Sequence, residues 1–208
     1  MGIMRNIIFD MDGTLLDSME MWDNLGTMYL AEKNVVPPSD IKQIIENKTL
    51  EESAEYFITE LGVKGTVESV VNEFISLIND QYRYTLKLKK GMKEYVLNQY
   101  ENGSKMCILT TSDKELAAAA MERNGIGHCF TEIFTAETLG MSKRTGDIFI
   151  KTCELMGFEP ESTWAYEDAL YAAKSAKEAG CKLVAVYDKA NESDWAELKG
   201  MAEEVIKA

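Results

Sequence analysis

Two carboxylates stand two residues apart in Asp10-Met-Asp12-Gly13-Thr14-Leu15-Leu16-Asp17-Ser18, directly after the apolar run Ile7-Ile8-Phe9. The run reads as a buried strand, and the acids as the turn into which it feeds. Acids at i and i+2 just past a strand can serve one site in different parts. One carboxylate is a competent nucleophile toward phosphorus when a metal offsets the charge around it. The other can give a proton to a leaving oxygen and later take one from water. Gly13 permits a sharp turn that a side chain would obstruct. Calcium loops also open with two such acids and a glycine, but they continue with more carboxylates and a closing Glu at set spacing, which is absent here.

Other reactive residues also lie at the ends of apolar runs. Met106-Cys-Ile-Leu109 runs into the hydroxyls of Thr110, Thr111 and Ser112. Hydroxyls and backbone N–H groups at a strand-to-helix junction can hold phosphate oxygens. Ser112-Asp-Lys-Glu115 also has the form of a capping box, so Ser112 is expected to cap the next helix. Trp164-Ala-Tyr166 ends in Glu167 and Asp168. Two acids gathered at a sheet edge are unfavourable without a cation, and oxygen ligands of this kind suit Mg²⁺. Asp168 is the better ligand candidate, with Glu167 binding directly or through water.

These groups need a scaffold to bring them together. From about residue 16 to 84 the pattern is helical throughout: Met19, Trp22, Leu25 and Tyr29 step by three and four, as do Ala54, Phe57, Ile58 and Leu61, and Val67 to Ile78 carries the cleanest stripe. Thr49-Leu-Glu-Glu52 is a capping box opening the second of these helices. After Gly91 short apolar strands alternate with helices that end in Gly125, Gly157 and Gly180, which implies βαβ units and a parallel sheet of five or so strands. The expectation is an α/β, Rossmann-like core from residues 1–15 and 88–208, with a helical-bundle cap inserted at 16–87. Ligands of open α/β sheets bind at the carboxyl ends of the strands, and an insert leaving from that edge can act as a lid.

Lys and Arg number 22 against 35 Asp and Glu, a formal net charge of −13. Such a surface repels nucleic acid and anionic lipid, and a phosphate ester would need local cations or a metal. The cysteines are scattered with no C-x-x-C pair, no signal peptide is read ahead of Asp10, and no apolar run spans a membrane, so a reduced, cytoplasmic protein is expected. His128, the single histidine, reads as a loop or partly buried residue, since one histidine cannot build a zinc site alone.

The stretch from Asp10 to Ser18 resembles the first motif of the haloacid dehalogenase superfamily. The resemblance implies that Asp10 is the nucleophile that becomes a phosphoaspartate. It makes Asp12 the general acid/base, with its backbone carbonyl on the metal. The true dehalogenases lack this second Asp, so Asp12 points to phosphate chemistry. The resemblance puts the phosphate-binding hydroxyl of the second motif at Thr110. Ser142-Lys143-Arg144-Thr145-Gly146-Asp147-Ile148-Phe149 resembles the third motif, usually Lys-Pro-x-Pro-Asp-x-Phe, and makes Lys143 the cation that holds the phosphoryl group. Both prolines are replaced here, so a more flexible loop is expected, with Arg144 a competitor for the role. Glu167-Asp168 matches the fourth motif. The metal set so implied is Asp10, Asp12, Asp168 and Glu167 around Mg²⁺.

The expected activity is hydrolysis of a small phosphorylated metabolite by a monomer or weak homodimer, with Trp22, Asn47 and Lys48 as guesses for cap contacts. The nearest alternative is a β-phosphoglucomutase-like sugar phosphomutase. Leu50 stands where such mutases carry a cap arginine, and Asp113 where they carry a lysine, so the grip on a second phosphate is weakened. A catalytically idle binding protein on the same fold is a further alternative, disfavoured because all four motif positions carry reactive side chains.

Overall fold

The computed structural model describes residues 4–45 and 48–207. The chain divides into two compact units, one made of Met1–Met19 with Leu86–Ala208 and the other of Glu20–Thr85.

The first unit is a six-stranded parallel sheet with flanking helices. Its strands are β1 (Asn6–Phe9), β2 (Lys105–Thr110), β3 (Glu132–Thr135), β4 (Thr163–Glu167), β5 (Lys182–Val186) and β6 (Glu204–Ile206), in the order β3-β2-β1-β4-β5-β6. Each pairing is parallel. Strands covered on both faces need apolar residues on both, and Ile7, Ile8 and Phe9 are all buried, as are Leu183 to Val186. One face packs Ile8, Cys107, Leu109 and Ala165 against Ile148, Phe149, Cys153 and Ala176. Small residues such as Ala173 and Ala176 let the helix Leu170–Glu178 lie close to the sheet. The four cysteines are all buried and unpaired. The strand count exceeds the expected five because β6 adds an edge strand. At three residues, with Val205 exposed, it is too short to leave a period in the sequence.

The unit Glu20–Thr85 is helical: most of α1 (Met19–Glu32), then α2 (Ile41–Ile45), α3 (Leu50–Thr59), α4 (Val67–Asp80) and a π-helical turn at Gln81–Thr85. Tyr29, Phe57 and Phe74 form its centre, with ring centroids 4.5–5.9 Å apart. The capping box at Thr49 is formed: its hydroxyl accepts from Glu52 N at 3.2 Å, and the Glu52 carboxylate accepts from Thr49 N at 2.8 Å. Among the described residues, no helix is long and apolar enough to cross a membrane.

Candidate active site

β1 lies between β2 and β4, where the strand order reverses direction, and this is the point at which an open parallel sheet splits to leave a crevice at its carboxyl edge. The register aligns Phe9 with Tyr166, and the ladder continues with Asp10 N donating to Tyr166 O at 3.0 Å. Asp10 therefore emerges beside Glu167, the last residue of β4, with Asp168 next in the chain. Ligand oxygens of Asp10, Glu167 and Asp168 lie within 4.8 Å of one another, and all three residues are buried. Two elements distant in sequence thus deliver three carboxylates to one point.

Lys143 provides the counter-charge. It sits in the loop between α7 (Ala136–Leu139) and α8 (Asp147–Met156), is 3% exposed, and places Nζ 2.7 Å from both Asp10 Oδ1 and Glu167 Oε1. A third donation goes to Leu109 O at 3.0 Å. Arg144, the expected competitor, is turned elsewhere, its guanidinium 4.6 Å from the centre of the Tyr171 ring. The loop is also tethered where flexibility was expected. Gly146 N donates to Glu178 Oε2 at 3.1 Å, and a Cβ on Gly146 would come within 3.0 Å of Ala179 N. Glycine here lets the loop lie against the end of α9 (Leu170–Glu178), where a side chain would crowd the backbone of Ala179 and Ser175.

The balance of charge is unfavourable to the acids. Burial, then the carboxylates of Asp10 and Asp188, push the Asp168 carboxyl up to about 8 against the pull of Lys143 and Thr14. Glu167 is raised well above the usual range by burial, with Lys143 opposing and Asp10 adding. Burial works against the Lys143 ammonium, but Asp10 and Glu167 outweigh it and hold the lysine protonated. Asp10 Oδ2 and Glu167 Oε2 are buried and have no hydrogen-bond partner. A buried carboxylate oxygen without a donor is costly, and a hard cation is the group that would satisfy an all-oxygen set of this kind.

Asp12 is held apart from the cluster by two hydroxyls, Ser18 Oγ at 2.7 Å from Oδ1 and Ser112 Oγ at 2.6 Å from Oδ2. The expected capping box at Ser112 is therefore not formed. Asp113 caps α6 (Lys114–Arg123) instead, its Oδ1 accepting from Glu115 N at 2.8 Å and Leu116 N at 3.0 Å. The carboxylate one residue closer to the helix is the stronger acceptor for its first N–H groups, and Ser112 faces Asp12.

Gly13 has φ +81°, and a Cβ there would meet Asp168 Oδ2 at 2.2 Å, so both backbone and space require glycine. Thr110 ends β2 and is buried, its Oγ1 accepting from Ser112 N at 3.0 Å, while Thr111 is exposed. Trp22 and Lys48 belong to the other compact unit. The Trp22 indole N–H donates to Tyr82 Oη at 3.2 Å, and Lys48 is exposed. Asn47 lies outside the described residues. His128 sits in a short 3₁₀ turn, its ring edge-on to Tyr100.

Several residues around the acids escaped the sequence reading. Thr14 Oγ1 donates to Asp168 Oδ1 at 3.2 Å and Asn191 Nδ2 to Asp168 Oδ2 at 2.7 Å. Lys89 Nζ donates to Gly13 O at 3.0 Å, Tyr187 O at 2.6 Å and Asp188 Oδ2 at 2.7 Å. Nothing in the run Leu86-Lys-Leu-Lys-Lys90 sets Lys89 apart from its exposed neighbours Lys87 and Lys90.

Residues 7–186 match the family described as haloacid dehalogenase-like hydrolase. N-acetylmuramic acid 6-phosphate phosphatase of Pseudomonas putida is 25% identical over 186 residues, covering 88% of this chain and 82% of that protein. Hexitol phosphatase A of Escherichia coli is likewise 25% identical over 186 residues, with 88% and 82% covered. A candidate β-phosphoglucomutase from Thermotoga maritima shares the fold, with a TM-score of 0.85 over 98% of this chain and 94% of that one at 20% identity.

Proposed function

Because this chain belongs to the haloacid dehalogenase-like hydrolase family, we propose that it is a magnesium-dependent phosphatase that hydrolyses a small phosphate monoester, a sugar phosphate or similar metabolite, through an aspartyl-phosphate on Asp10. The observation that carries this reading is the meeting of buried Asp10, Glu167 and Asp168 within 4.8 Å, with Lys143 against the first two. The two relatives named above are phosphatases of phosphorylated sugars or sugar alcohols by their names, and this supports the substrate class.

The residues fit a divalent cation. Asp10, Asp168 and Glu167, with the Asp12 carbonyl that the family resemblance implies, would hold Mg²⁺, and the partnerless oxygens of Asp10 and Glu167 are where its charge is needed. Bound there, the ion supplies positive charge to the transferring oxygens.

In the reaction the Asp10 carboxylate attacks phosphorus in line, forming a P–O bond as the bond to the ester oxygen breaks. Asp12 gives its proton to the departing alkoxide. Asp12 then takes a proton from water as the water oxygen attacks the phosphoaspartate, releasing inorganic phosphate and restoring Asp10. Ser18 and Ser112 suit this exchange: a hydroxyl can donate to a carboxylate or accept from a carboxylic acid, so Asp12 keeps both partners in either state. Lys143 steadies the nucleophile and offsets the incoming charge, and the hydroxyls at the end of β2, Thr110 and the following Thr111, hold phosphate oxygens with the turn at Gly13. Choice of substrate is assigned to residues 20–85 as a cap, with Trp22, Asn47 and Lys48 as the contacts to test first.

Phosphatase is favoured over mutase because Asp113, where the mutases carry a lysine, is acidic and spent on capping α6. The test is phosphate release with Mg²⁺ across a panel of sugar phosphates, with Asp10→Asn as control. Release by the parent protein and none by the variant is expected. Substantial release by Asp10→Asn would overturn the assignment, and isomer formation from a hexose 1-phosphate primed with bisphosphate would replace phosphatase with mutase.

A further inference from the structure

Lys89 lies outside the four motifs, yet it is bound to the loop that carries the first of them. It is 7% exposed, and its ammonium meets three oxygens from two other parts of the chain: Gly13 O at 3.0 Å, Tyr187 O at 2.6 Å and Asp188 Oδ2 at 2.7 Å. An ammonium has three N–H donors, so all are spent on the protein and none remains for a ligand. The backbone around it is fastened to the same loop. Lys89 N donates to Leu15 O and Asp17 N to Lys87 O, both at 2.9 Å, and Leu16 pairs with Leu88 in an isolated bridge.

The carbonyl that Lys89 holds belongs to a peptide with little room to move. Gly13 is flanked by Asp12 and Thr14; its N donates to Leu16 O at 3.0 Å, and its Cα faces Asp168 so closely that a Cβ would sit 2.2 Å from Oδ2. Turning the Gly13 carbonyl away from Lys89 would swing Asp12 off Ser18 and Ser112 on one side and Thr14 off Asp168 on the other. A charge-assisted hydrogen bond is about twice as strong as a neutral one, and Asp188 orients the ammonium that makes it.

We propose that Lys89 is a positioning residue for phosphoryl transfer: oriented by Asp188, it fixes the Gly13 carbonyl and thereby the register of Asp12 relative to Asp10, Glu167 and Asp168. The inference rests on the phosphatase reading with Asp12 as proton donor. Its signature follows from that role. An alkyl phosphate needs the leaving oxygen protonated, whereas p-nitrophenolate leaves without help. Misplacing Asp12 therefore slows transfer from the alkyl ester more than from the aryl ester, whereas lost folding lowers both alike.

The experiment measures kcat/KM for glycerol 2-phosphate and for p-nitrophenyl phosphate, each with Mg²⁺, in the parent protein, in Lys89→Met and in the double variant Lys89→Met/Asp188→Leu. The double variant removes the buried pair together, so no unpaired Asp188 carboxylate is left to unfold the protein. In both variants the alkyl-to-aryl ratio is expected to fall by at least about tenfold, in keeping with the 10²–10⁴ contribution of general acid catalysis. An unchanged ratio in the folded variants, whatever the common loss of rate, would overturn the role of Lys89. Absence of phosphate release by the parent protein from both esters and from the panel of sugar phosphates would instead overturn the phosphatase reading.

Discussion

Proton and metal should compete for Asp168, and stripping divalent ions with a chelator while stepping the pH exposes that competition. The Asp168 carboxyl is raised from 3.8 to about 8, first by burial and then by the neighbouring Asp10 and Asp188. In the unfolded chain it is ionised above about pH 4, while in the folded, metal-free protein it keeps its proton until about pH 8. Between those values the folded state binds one more proton than the unfolded state, so stability is fullest below the lower value and drains away as pH rises through the window. The slope is about 1.4 kcal/mol per pH unit, or roughly 2–3 kcal/mol between about pH 6 and pH 8. For a protein of this size that is on the order of 5–10 °C in Tm. The carboxylates that surface partners hold low, Glu73, Glu132 and Glu203, have their effect below this window and do not mask it. Mg²⁺ would take the place of the proton, so its apparent Kd should fall by about tenfold per pH unit over the same range, and the Tm loss should disappear at saturating ion. Scanning calorimetry with chelator and with excess Mg²⁺ at both pH values measures this directly, and Asp168→Asn should flatten both responses. A chelated protein equally stable at pH 6 and pH 8, or an Mg²⁺ stabilisation that ignores pH, would refute the reasoning.

Three further outcomes follow from single contacts. Lys143→Met leaves Asp10 and Glu167 without their shared cation; turnover should fall by about 10²–10³, and urea titration of the metal-free form should show a loss of about 3–5 kcal/mol. Ser112→Ala should cost kcat rather than Tm, because Asp113 caps the helix and Ser112 holds Asp12; a drop in stability near 1 kcal/mol with activity intact would return Ser112 to the cap. Gly13→Ala forces a Cβ to within 2.2 Å of Asp168 Oδ2 at φ +81°; it should weaken Mg²⁺ binding, read as a smaller metal-induced rise in Tm, and destabilise the protein by on the order of 1–3 kcal/mol.

What the chain states by itself is local. Ile7-Ile8-Phe9 followed by two acids, and Trp164-Ala-Tyr166 followed by two more, can be read as strand ends without coordinates, because burial on both faces demands apolar runs and a turn demands glycine and polar residues. The Thr49 capping box is equally local and is present as read. Which acids meet is a matter of register. Phe9 aligned with Tyr166 sets Asp10 beside Glu167 across more than 150 intervening residues, and only the sheet order can do that. Competition between near neighbours was likewise settled in three dimensions: Asp113 outbid Ser112 for the helix start, and Lys143 rather than Arg144 reached Asp10, because the tethered loop points one side chain inward and the other over Tyr171. Lys89, Asp188 and Asn191 carry no pattern of their own. A lysine among lysines becomes a buried partner of the Gly13 carbonyl only when the strand ends close around it, since hydrogen-bond geometry depends on distances through space that spacing along the chain does not encode.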